Sequence, residues 1–197
     1  MERVQATLSI PMILSPLTGA ARASAIEMLC RHHYTHSVPS GKSHYFRFES
    51  ALVCLSIPAN KNIARFLGVE NVWELSRLWA PNGHEHSLLT QAISHTSRAI
   101  AALEHPDCLV SYADPNASHL GGVYRAASWS YWGQCEESRA YRASDGSLLA
   151  RRKFHSGKRG LTKAQIEAKG FVELRLPGKH RFIKPLTKAA RQITAMP

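Results

Sequence analysis

VSYADPNASHLGGVYRAASWSYWGQ, residues 110–134, runs from a strand through a turn and a helical stretch into a second strand. Its first limb, 108–113, is short, apolar and closed by Asp114-Pro115, as expected of a buried strand. Residues 117–127 read as a helix and 130–133 as another strand. Strand–helix–strand order implies a right-handed crossover and parallel pairing within the sheet. The stretch therefore sets the fold class as α/β (α+β), a mixed central sheet flanked by helices.

The flanking sequence extends the same pattern. Pro16 or Thr18 opens a helix running to about His33, with Ile26, Leu29 and Cys30 as its apolar stripe. That spacing turns His33 inward. Residues 38–43 read as a loop, and 51–57 as a strand covered on both faces. Residues 72–80 form the next strand, with Trp73, Leu75, Arg77 and Trp79 on one face and Val72, Glu74, Ser76 and Leu78 on the other. A cation among apolar neighbours needs a partner, which singles out Arg77. Ser87 caps a helix whose stripe is Leu89, Ala92, Ile93, Thr96, Ile100 and Leu103, ended by Pro106. Further on, 162–169 suits a short helix closed by Gly170. Residues 171–176 and 180–186 read as a hairpin around Pro177-Gly178.

The chain has 197 residues and a formal charge of +11. Residues 1–138 hold 10 Lys/Arg against 11 Asp/Glu, whereas 139–197 hold 15 against 3. A near-neutral catalytic core (1–138) is thus expected, followed by a basic part (139–197) that completes the same domain. Such asymmetry suits a polyanion, since each cation that neutralises a phosphate releases a counterion. A solvated basic face is the plainer alternative. Cys30, Cys54, Cys108 and Cys135 form no Cys-x-x-Cys pair, which points to reduced thiols in a cytoplasmic protein. Arg3 before the apolar run 8–17 is faintly leader-like. Pro11 and Pro16 interrupt that run and a helix follows, so a leader is not expected. No run is long enough to cross a bilayer, and no membrane role is expected.

Asp114 stands past the end of a strand and before a helix, where open α/β sheets place ligands. It equally suits a helix cap. Gly121-Gly122, within a helical pattern, costs about 1 kcal/mol per glycine, offset either by a ligand's approach or by tight packing. His33 fits a general base, a metal ligand or a buried structural histidine. Trp129, Tyr131 and Trp132 fit either core packing or stacking on an extruded base. No glycine-rich dinucleotide fingerprint, phosphate loop or nucleophile elbow is present.

Residues 110–134 also resemble the signature of the phage Mom DNA-modification family. HHYTHSVP (32–39), VWELSRLWAP (72–81) and PGKHRFIKPL (177–186) are similar to further segments of that family, in order. The resemblance implies a GNAT-like fold and conversion of the exocyclic amine of adenine to a carbamoylmethyl-amine, which shields phage DNA from host restriction. By match, His33, Tyr34, Ser76, Arg77, Asp114 and Tyr124 line the site. Double-stranded DNA is the implied partner. Arg151, Arg152, Lys153, Lys158 and Arg159 are expected on its phosphates, together with Lys179 and Arg181. The donor stays open. A GNAT-like fold implies acetyl-CoA, yet the loop 81–86 (PNGHEH) offers one glycine and an acid where a pyrophosphate would sit. Acetyl transfer also gives an N-acetyl amine, whereas a carbamoylmethyl group needs a bond from nitrogen to a methylene carbon. Iron held by His33, Tyr34 and Asp114 is the alternative route.

Overall fold

The computed structural model describes residues 14–150, Phe154 and residues 160–194. The apolar run at 8–17 therefore lies largely outside the described residues. Helix α1 (Gly19–His32) is followed by the antiparallel strands β1 (Ser43–Phe48) and β2 (Ala51–Ser56). A short α2 (Ile63–Leu67) leads to β3 (Val72–Trp79), α3 (Leu88–Glu104) and β4 (Cys108–Ala113). Then come a 3₁₀ turn (Pro115–Ala117), α4 (Gly122–Ala126) and β5 (Ser130–Gln134). The remainder is β6 (Ser138–Arg142), β7 (Leu148–Ala150), α5 (Lys163–Ala168), β8 (Val172–Leu176), β9 (His180–Pro185) and α6 (Lys188–Thr194).

Six strands form one mixed sheet in the order β1-β2-β3-β4-β9-β5, and three form a second in the order β7-β6-β8. The expected mixed α/β class holds. β3 and β4 pair in parallel and are joined through α3. The chain divides into two compact units: Met1–Ser111 with Val123–Ser130 and Ile183–Pro197, and Tyr112–Gly122 with Tyr131–Phe182.

In the first unit every residue of β2 is buried, as its continuous apolar run requires. Leu52 and Cys54 pack with Ala25 and Leu29 of α1 and with Tyr45 of β1. α3 contacts β1 and β2. Its buried stripe begins at Leu88 rather than Leu89, and Leu103 is exposed. Ser87 occupies the cap position without capping through its side chain, because its hydroxyl donates to Glu85 and accepts from Gln91. All four cysteines are free. Burial pushes the Cys54 and Cys108 thiols up to about 12, which makes both inert.

α1 ends at His32, where His33 turns to extended backbone (ψ 139°) as its C-cap, in keeping with the expected end at about His33. Three further sequence expectations need correction. The alternation of β3 fails at Ser76: Cys54 pairs with Arg77 and Leu55 with Leu75, so Ser76 is the extra residue of a bulge. The single helix over 117–127 is absent. Ser118 and Gly121 take positive φ (59° and 80°), which no helix accommodates, and only Gly122–Ala126 is α-helical. The hairpin around Pro177-Gly178 is also absent, since β8 pairs with β6 in the three-stranded sheet while β9 belongs to the other.

Candidate functional site

The first unit gathers five of the expected site residues through the bulge. Arg77 sits just past the extra residue and throws its guanidinium across to the segment after α1. Its Nε donates to the Ser37 carbonyl (2.7 Å) and Nη2 to the Ser37 hydroxyl (3.4 Å). Nη1 donates to the Ser76 carbonyl (2.6 Å). Three of its five N–H groups are thus spent on neutral acceptors, leaving two donors and the full charge. Ser76 itself bonds the Ser56 hydroxyl and the carbonyl of Glu74.

His33 is buried, as the inward reading of α1 requires. Its Nδ1 lies 3.2 Å from the backbone N–H of Thr35 and 2.9 Å from the Thr35 hydroxyl. A backbone N–H can only donate, so Nδ1 accepts and the neutral ring carries its proton on Nε2. His33 presents a donor rather than a free base. The ring of Tyr34, which is exposed, lies 4.5 Å from that of His33.

Tyr124 closes the cluster from α4. The Ser111 hydroxyl bonds the Leu75 carbonyl (2.8 Å) and the Tyr124 oxygen (2.8 Å). The Ser111 hydroxyl thus bridges the Leu75 carbonyl and the Tyr124 oxygen. Burial pushes the Tyr124 phenol up to about 12; the Ser111 bond opposes the shift, and nearby Tyr34 and Glu74 add to it. Tyr124 is therefore a fixed neutral phenol at physiological pH.

The second unit holds Asp114 in a different way. Its Oδ1 accepts from the backbone N–H of Asn116 (3.0 Å) and from Asn116 Nδ2 (2.9 Å). Its Oδ2 pairs with Lys179 Nζ at 3.0 Å. Burial disfavours the charge, yet Lys179 and Asn116 outweigh it and hold the carboxyl below the ordinary aspartate range. Asp114 is thus the cap of the 3₁₀ turn and half of an ion pair. A carboxylate so held is a weak base. The turn that carries Lys179 is fastened by Gln134 Nε2 donating to the Gly178 carbonyl (2.8 Å) and Cys135 N–H donating to the Lys179 carbonyl (2.8 Å).

The iron site expected on His33, Tyr34 and Asp114 gains no support. The His33 Nδ1 and both Asp114 oxygens already hold protein partners, and no cluster of three His, Cys, Asp or Glu among the described residues is placed to hold a metal ion. Gly121 resolves toward packing: a Cβ there would lie 2.1 Å from Phe182 Cε2. Of the three aromatics, Trp129 is buried and Tyr131 is the solvent-facing one, its hydroxyl 3.3 Å from His180 Nδ1. Arg181 reaches the Cys135 sulfur. Arg151, Arg152, Lys153, Lys158 and Arg159 lie outside the described residues. Thr35, Ser37 and Glu74 went unpredicted. Thr35 and Ser37 act largely through backbone atoms, which carry no side-chain signal.

A mixed α/β protein with a histidine–arginine–tyrosine cluster at a bulged strand is the class these observations define. A family model described as the Mom protein family matches residues 17–197, and the chain belongs to that family. No curated protein matches it. Among solved structures it is similar to a Bacillus subtilis acetyltransferase in complex with CoA, at 7% identity and a TM-score of 0.44, over 88% of this chain and 97% of that one. It is also similar to a chain of the NatC complex bound to Gag peptide and CoA, at 10% identity and a TM-score of 0.44, over 89% and 98%.

Proposed function

We propose that the protein is a DNA-modifying transferase that replaces a hydrogen on the exocyclic amine of adenine with a carbamoylmethyl group, the modification that shields phage DNA from restriction. The observation that carries this reading is membership of the Mom family over residues 17–197. The concentration of cation in 139–197 supports DNA as the substrate. The reaction forms one bond from nitrogen to the donor's methylene carbon, breaks the bond from that carbon to the donor's leaving group, which departs with the electron pair, and releases one proton from that nitrogen.

In this reading the cluster in the first unit handles the incoming group. The two remaining Arg77 donors suit its carbonyl oxygen, and such preorganised donors stabilise charge where it develops. Tyr124, kept neutral, contributes a fixed dipole rather than a base. In the second unit, the exposed ring of Tyr131 suits stacking on an extruded base, and Lys179 and Arg181 suit phosphates. Asp114 is a positioning residue that holds Lys179.

Mass spectrometry of nucleosides from DNA of cells making the protein tests this directly. The expected result is a new deoxyadenosine species carrying one CH₂CONH₂ group in place of hydrogen. Only ordinary nucleosides, with the protein folded and abundant, would overturn the reading. An N-acetylated adenine or an acylated protein in its place would transfer the site to acyl-group chemistry with a CoA donor.

A further inference from the structure

The first unit contains a cavity that the proposed chemistry does not use. It has a volume of about 210 Å³ and lies between the middle of α3, the segment after α4 and the end of β9. That is below the roughly 300–1,000 Å³ of pockets for drug-sized ligands and well above the roughly 30 Å³ share of one water. It suits a small group. Arg98 and Lys184 both line it, and no carboxylate does. Neither cation pairs with an acid among the described residues.

Trp129 also lines the cavity and is 4% exposed, so its indole senses what occupies it. Lys184 Nζ donates to the carbonyls of Ala127 (3.3 Å) and Ser128 (3.0 Å), which leaves its third proton for a ligand. The Ser94 and Ser97 hydroxyls donate back to α3 carbonyls, so the available donors are the two cations. Leu186 adds an apolar wall that lowers the local dielectric and strengthens any charge held there.

We propose that this cavity is an oxyanion site for a phosphate group, bound by Arg98 and Lys184, with the Trp129 indole in its wall as the reporter. The phosphate can come from two sources, a free phosphate or phosphomonoester and a backbone phosphate of a nucleic acid. The site does not depend on the proposed adenine chemistry. Its failure is read at Trp129, and that of the chemistry in the nucleosides.

The test is titration of the ¹⁵N-labelled full chain, following its four tryptophan indole signals. Inorganic phosphate is added in one arm and a short DNA duplex in the other. Trp129→Phe assigns the signal, and triple-resonance assignment serves if that variant fails to fold. A saturable shift of the Trp129 signal with phosphate identifies the free or monoester source; a shift with the duplex alone identifies the backbone source. Arg98→Gln, a change at an exposed side chain, is expected to weaken the effective ligand about tenfold, in line with loss of one charge-assisted contact. No movement of Trp129 in either arm, or movement that Arg98→Gln and Lys184→Gln together leave unchanged, would overturn the proposal.

Discussion

Tyr124 and Asp114 lie ten residues apart in the chain and are fixed by opposite physics. Tyr124 sits in the first unit, buried, in a neutral relay through Ser111 to the Leu75 carbonyl, with its phenol pushed up to about 12 chiefly by burial. Asp114 sits in the second unit on a turn, held as an anion by Lys179 and Asn116 against the cost of burial. The first region keeps protons in place, and the second keeps charges in place. Chemistry at an amine gains from fixed, dry dipoles, whereas a polyanion is tracked by a surface whose cations are oriented but still wet.

Substitutions can break this contrast, beginning with the turn that seats Lys179. A Cβ at Gly178 would lie 1.8 Å from the Cys135 carbonyl oxygen, a backbone atom that cannot swing aside. Gly178→Ala should therefore cost about 3 kcal/mol or more, the upper range for overpacking, read as a lowered urea midpoint. A cost under about 1 kcal/mol would mean that the turn is not fixed as described.

Next comes the relay. Ser111→Ala leaves both the Leu75 carbonyl and the Tyr124 hydroxyl without their partner, at a cost of about 2 kcal/mol. Tyr124→Phe removes only one end, leaves Ser111 on Leu75, and should cost about 1 kcal/mol. Equal costs in denaturant unfolding would contradict the bridging role of Ser111 described here.

The ion pair should matter least to stability. Lys179 is 45% exposed, and such pairs contribute less than about 1 kcal/mol. The folded Asp114 pKa is lowered, so its contribution is complete above the unfolded value of about 3.9 and fades as pH falls through the folded pKa. The stability gap between the wild type and Asp114→Asn should thus be largest near neutral pH and close in acid. A gap that widens as pH falls would reverse the sign and remove the ion pair from the account.

The two regions also differ in how much of them the sequence reveals. Strands β2, β3 and β4 and helix α3 follow from apolar runs and 3.6-residue spacing. β1 escapes because Tyr45 and Phe46 are buried consecutively, which breaks the alternation that marks a half-buried strand. The helix misread over 117–127 failed because Gly121 serves a positive φ and the ring of Phe182, a contact 61 residues away that local propensity cannot register. Arg77 and His33 were legible as a cation and an inward histidine in apolar surroundings. Their partners were not, since the Ser37 carbonyl and the Thr35 N–H are backbone groups that every residue supplies.

The central claim is that the chemistry resides in the relay region while Asp114 only positions. Quantifying modified deoxyadenosine in DNA from cells making Arg77→Gln or Asp114→Asn, each checked for folding, tests it most directly. Arg77→Gln is expected to leave no modified nucleoside, and Asp114→Asn to retain it at reduced yield. Modified adenine persisting in Arg77→Gln but absent from Asp114→Asn would contradict the account.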